Sequence, residues 1–193
     1  MKKELLFVVL ASIICTCLTF AACSVKPSVH GVRSRNIHNY CPIAVLEFAA
    51  PPMTYSYNIS SDKIRMAGKD ISDYFEMTLP MSGFRVANRS NLKDVLNEQR
   101  LRMSGLTDND AIKAGRLIGA RSVLVGRMTE YRRDFQMFTA CEHGYNVAFT
   151  AKLLDVETGR ILYAGSSEVR GCDSFENTCQ FLVATTVQKM AGY

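Results

Sequence analysis

VAFTAKLLDVETGRILYAG, residues 147–165, decides the fold. Val147, Phe149, Ala151 and Leu153 alternate with Ala148, Thr150, Lys152 and Leu154, and Ile161, Tyr163 and Gly165 resume the period of two after an interruption. Side chains on a strand point alternately to opposite faces, so this pattern predicts two half-buried strands. The interruption, Asp155-Val156-Glu157-Thr158-Gly159, has turn chemistry: Asp bonds the backbone ahead of it and Gly accepts positive φ. The stretch is therefore an antiparallel hairpin.

Outward from the hairpin, Ser122 to Met128 (SVLVGRM) is apolar on both pleat faces and predicts an interior strand. Pro42 to Phe48 (PIAVLEF) is too short for a helix and predicts the first strand, and Phe84 to Ala87 predicts a short second one. Between them Ser61-Asp62 caps a helix with Ile64, Ala67, Ile71, Tyr74/Phe75 and Thr78/Leu79 at helical spacing. Ser90 or Asn91 caps a further helix ending near Gly105. Thr107, Asp108 and Asp110 open another that stops at Gly119, and Ser174 to Met190 is the last. The expected fold class is α/β: a mixed β-sheet of about five strands packed with three to four helices in one domain. Helices covering only part of such a sheet would leave apolar surface for neighbours, with Arg100, Arg102 and Arg127 as polar rim contacts.

The N-terminus carries an address. Lys2 and Lys3 precede an uncharged stretch from Leu5 to Ala22, which closes on Phe20-Ala21-Ala22-Cys23. Basic, apolar and small-residue segments in that order make a secretory signal, and a cysteine after the small pair can be acylated. The expectation is a signal peptide over 1–22, a lipidated N-terminus and flexible tether over 23–40, and the α/β domain over 41–193. An uncleaved anchor is the alternative reading of the 18 uncharged residues. Ser24 after Cys23 points to the outer membrane.

Export bounds the rest. Lys2, Lys3 and Glu4 carry one net charge of the formal +5, leaving a mild +4 with no basic block, so nucleic acid is not expected as a partner. Cys41, Cys141, Cys172 and Cys179 remain in an oxidising compartment and allow three full pairings. The hairpin register favours Cys141 with Cys172. The same cysteines with His143 lack C-x2-C spacing, so disulfides are read ahead of zinc. His30 and His38 fall in the tether and are read as solvated. No nucleophile elbow, phosphate loop or zinc-protease motif is present. Cys141 and His143 form a nucleophile and base two residues apart, but a disulfide cysteine is the simpler account. No catalytic residue, cofactor or metal is expected.

Val95-Leu96-Asn97-Glu98-Gln99-Arg100-Leu101, Ser104-Gly105-Leu106-Thr107-Asp108, Ala114-Gly115-Arg116-Leu117-Ile118-Gly119-Ala120 and Val123-Leu124-Val125-Gly126-Arg127-Met128-Thr129 together resemble the signature of the CsgG-like family. The hairpin turn resembles that family's as well. The resemblance implies a CsgG/TolB-N-like domain in a non-enzymatic, periplasm-facing outer-membrane lipoprotein. It also implies a homo-oligomer, serving as ring or scaffold with envelope assembly or export proteins. The curli exporter resembles a ring whose subunits each give two long hairpins to a barrel. Tyr131 to Tyr145 has no sustained alternation for one, and the terminal helix follows Val169 too closely for a second. The non-pore relatives, the polysaccharide-export lipoprotein PelC and the peptidoglycan-synthase activator LpoB, are nearer in size. The alternative function is a lipoprotein that docks on such a synthase.

Overall fold

The computed structural model of the chain describes residues 26–51, 59–88, 106–135, 143–171 and 173–193. Within these residues five strands form one sheet: β1 (Ser28–Arg33), β2 (Ile43–Val45), β3 (Ser122–Phe135), β4 (His143–Asp155) and β5 (Ile161–Gly171). Their spatial order is β1-β5-β4-β3-β2. β2 and β3 are parallel and every other pair is antiparallel, so the sheet is mixed. Among the described residues three α-helices accompany it: α1 (Ser61–Thr78), α2 (Asp108–Leu117) and α3 (Phe175–Ala191).

The expected hairpin is the centre of this sheet. The buried Asp155 carboxylate accepts the Glu157 N–H at 3.1 Å and the Thr158 hydroxyl, while its backbone N–H bonds Arg160 O at 2.9 Å. Gly159 takes φ +71, the left-handed conformation the turn requires. Side-chain oxygens at all three N-caps satisfy a helix N–H that has no partner within the helix: Ser60 for Lys63, Thr107 for Asp110 and Ser174 for Asn177.

Pleat alternation divides the core in two. Val147, Phe149, Ala151 and Leu153 of β4 point to the face covered by α1 and α3. On the other face α2 lays Ala111 and Ala114 against Ala44, Val123 and Leu154. Gly115 of α2 sits so close that a Cβ there would lie 2.3 Å from Val123. Strand Ser122 to Met128 is apolar on both faces because helices lie on both sides of it. Phe48 joins the layers: its ring stacks on Phe75 (centroids 5.3 Å apart) and meets Phe149 edge-on at 6.0 Å. Its N–H donates to Ser72 Oγ of α1 at 2.9 Å.

The structure corrects four expectations. The tether does not extend through residue 40, because Ser28–Arg33 is a paired edge strand and Ile37 is fully buried. An edge strand open to water lacks apolar alternation. Its stability comes from the ladder with β5 and from Gly31 facing Gly165, with the Tyr163 ring beside both. Phe84 to Ala87 runs beside β2 as one bridge, Val86 to Ile43, and does not form a full strand. β3 continues past Met128 to Phe135, through a register irregularity between Met128 and Glu130. The uncovered sheet surface is polar, since α2 occupies its apolar part. The helix expected from Ser90 to Gly105, with Arg100 and Arg102, lies outside the described residues.

Candidate assembly surface

Past α2 no described element covers the second sheet face. Thr150 and Lys152 of β4, Ser166, Glu168 and Arg170 of β5, and Arg127 of β3 are all exposed there. Charges of both signs alternate: Lys152 Nζ pairs with Asp108 at 3.0 Å and Arg132 with Glu130 at 3.5 Å. All four side chains are about half exposed, so each pair contributes no more than ~1 kcal/mol.

Two shallow depressions mark this face. One of about 420 Å³ lies between the start of α2 and β3–β4, walled by Leu106, Val125 and Gly126 and edged by Arg127 and Lys152. The other, about 210 Å³, lies at the opposite end between Lys26, Ser28, Asn146, Glu168 and Arg170. Both open broadly to solvent, whereas a small-molecule site encloses most of its ligand. The shape suits a macromolecular neighbour. Asp108 and Asp110 are first-turn helix charges as read: Asp110 also accepts the Thr107 hydroxyl at 2.7 Å.

The strongly perturbed groups sit away from this face, among the packed helices. Burial pushes the Tyr163 phenol up to about 12, and its hydroxyl has no partner among the described residues. Burial also drives the Cys179 thiol and the Tyr131 phenol far above their ordinary range. Desolvation raises Asp70 above its ordinary 3.8; Lys69 opposes this, and Asp73 and Glu176 add to it. Native Asp70 thus holds its proton more tightly than the unfolded chain does. Its contribution is present at low pH and lost as pH rises through the interval between the unfolded and the raised native value. Asp70→Asn is expected to raise Tm at neutral pH, with a gain that vanishes below the ordinary carboxylate range. Thermal melts of both proteins across pH check it.

The cysteines divide. Cys41 and Cys179 are buried in the α1/α3 core, each as a free thiol. Cys23, Cys141 and Cys172 lie outside the described residues. β5 ends at Gly171 opposite Tyr145, and β4 begins at His143 opposite Phe135. His38 is exposed but stacks on Phe84 at 4.2 Å, so it is part of the fold and not of a tether. His30, exposed on β1, bonds Ser28 Oγ at 2.9 Å. Among the described residues no three His, Cys, Asp or Glu side chains gather as a metal set. No described helix is long and apolar enough to cross a membrane. Sequence reading missed Lys26 and Ser28 as part of this surface; the isolated Val29 and Val32 were the one available signal of a strand there.

A five-stranded mixed sheet, helices on both faces and one open polar side define an α/β domain built to present a surface. The chain belongs to the family of the curli production assembly/transport component CsgG, whose model matches residues 29–185. Its fold is similar to a PelC dodecamer from Paraburkholderia phytofirmans, at 18% identity and TM-score 0.57, covering 87% of this chain and 99% of that one. It is also similar to lipoprotein GNA1162 from Neisseria meningitidis, at 19% identity and TM-score 0.54, covering 78% and 98%. The LpoB C-terminal domain from Salmonella enterica aligns at TM-score 0.40 and 15% identity, covering 65% and 80%, too weakly to carry an argument. No curated protein matches the chain by sequence.

Proposed function

We propose that this chain is a non-enzymatic outer-membrane lipoprotein, acylated at Cys23, that assembles with copies of itself on the periplasmic side. It serves as a ring or scaffold in the export or assembly of envelope material such as a curli-like fibre, an exopolysaccharide or a surface appendage. The observation that carries this reading is the family match over residues 29–185. The broad, two-signed open face supports it, because alternating charge sets register between neighbours without a deep pocket. Likeness to a chain that forms a dodecamer agrees with it.

A self-contained pore is not part of the proposal. β3 stays in the domain past Met128, since Tyr131 is buried in the core against Phe175 of α3. Deleting the gene is expected to leave one envelope polymer trapped inside the cell while cell-wall synthesis continues at its normal rate. Normal export with slowed wall synthesis would contradict this and favour the synthase-docking alternative.

The remaining cysteines are assigned to one another: Cys141 and Cys172 form the disulfide of the exported protein. Non-reducing peptide mass spectrometry is expected to recover that crosslinked pair, with Cys41 and Cys179 alkylated only after denaturation. Four free thiols, or one zinc bound per chain, would contradict it.

A further inference from the structure

We propose that the free edge of β1 receives an extended acidic segment of another polypeptide, added to the sheet as a further strand. The proposal goes beyond the scaffold reading and holds whether the chain works in a ring or docks singly.

β1 pairs with β5 and with no other described strand. Ser34 N–H bonds Leu162 O at 2.7 Å, so in the same antiparallel register Ser28, His30 and Val32 turn their backbone groups toward β5. Val29, Gly31 and Arg33 therefore turn theirs outward. A bulge or a proline within β1 would close this edge to another strand. Ser28 to Arg33 has neither, since its register with β5 is unbroken and Pro27 lies just ahead of it.

Charge selects the occupant. From Ser24 to Leu46 the chain has Lys26, Arg33 and Arg35 and no Asp or Glu. β5 beside it adds one charge of each sign, Glu168 and Arg170, so the edge stays cationic. Two β1 strands side by side would bring two such sets together, whereas an acidic strand meets opposite charge. That favours an acidic segment over a second copy of β1.

A buried group independently asks for an acceptor here. Tyr163, Gly165 and Gly31 share the sheet face that α3 covers. The Tyr163 ring runs beside both glycines, and its hydroxyl lies 3.0 Å from where a Gly31 Cβ would sit. That hydroxyl is buried and has no hydrogen-bond partner among the described residues. A buried donor in that state costs stability until an acceptor reaches it. Gly31 is exposed and has no side chain, so a carboxylate carried by the strand beside it can lean across Gly31 to the phenol. On the opposite face Val32 is 80% exposed and offers a β-branched neighbour. The fitting segment thus alternates, with carboxylates on the Gly31 and Arg33 face and β-branched residues on the Val32 face.

The probe is a fluorescein-labelled peptide, Thr-Glu-Val-Glu-Val-Glu-Thr, titrated by anisotropy into the lipidated protein in detergent. Binding is expected, and its analogue with Lys in place of each Glu should not bind. N-methylation of the Glu residues, whose N–H groups would bond β1, should abolish binding. N-methylation of the Val residues, whose N–H groups face away, should leave it within about twofold. These arms leave the protein unaltered. Tyr163→Phe is expected to weaken binding about tenfold or more, the worth of a hydrogen bond to a charged group, with Tm of the free protein unchanged or higher. Equal binding of the Lys analogue, equal effects of the two methylation patterns, or undiminished binding by Tyr163→Phe would overturn the proposal. So would no binding of the parent peptide, in which case light scattering on the same sample shows whether a second copy holds the edge.

Discussion

Phe48→Ala is expected to cost about 3–5 kcal/mol, enough to lower Tm by roughly 6–20 °C in a domain of this size. Phe48 is fully buried and meets Phe75 and Phe149, which contact each other edge-on at 5.6 Å. Removing the ring opens a cavity where strand and helix layers join, and such a loss is a large part of the ~5–15 kcal/mol that holds a domain together. Gly126 gives a second handle on the same contact. A Cβ at that position would lie 2.2 Å from the Phe48 ring, so Gly126→Ala alone is expected to destabilise by ~1–3 kcal/mol through overpacking. In the Phe48→Ala background that cost should largely disappear, because the group it collides with is gone. Denaturant melts of both single variants and the double variant check the coupling; strictly additive losses would contradict the packing described.

Cys23→Ser is expected to have an all-or-none effect on location. Without the thiol no thioether to lipid forms, and the protein should move from the membrane pellet to the soluble fraction with its fold intact. Incorporation of labelled fatty acid should fall to background. Association that survives a carbonate wash in the serine variant would mean that Leu5 to Ala22 is an uncleaved anchor. Each acyl methylene buried contributes ~0.8 kcal/mol, and stable anchoring takes more than one chain. Partial retention on removing only the amide-linked chain would agree with that arithmetic.

The parts of the fold that were legible in the sequence are those where one residue answers one physical demand. Asp155 and Gly159 mark a turn because few other residues satisfy the backbone there, and Thr107 and Ser174 mark helix starts for the same reason. Strand Ser122 to Met128 announced two covered faces by being apolar on both. β1 was not legible, because SVHGVR borrows its order from β5 and exposes most of its side chains. That error carried into the site: a long tether was expected where three described residues, Lys26, Pro27 and Ser28, already lie against the sheet or within reach of it. The cysteines show a related limit. Their even number and compartment argue for disulfides, but neither gives a distance, and the burial of Cys41 and Cys179 depends on contacts far apart in the chain. The open face is polar for a reason no local pattern states, namely that α2 covers the apolar part of the sheet at the Val123 and Leu154 positions.

Assembly of the folded domain is the central claim, and light scattering coupled to size separation tests it most directly. The measurement uses the lipidated protein in detergent and the mature chain without its acyl group, each over a wide concentration range. A closed assembly of many copies in the lipidated form, with concentration-dependent association of the unacylated form, is the result expected from a scaffold whose neighbours meet on the open sheet face. A strict monomer in both forms at every concentration would contradict the account and leave a single copy docking on one enzyme as the better reading.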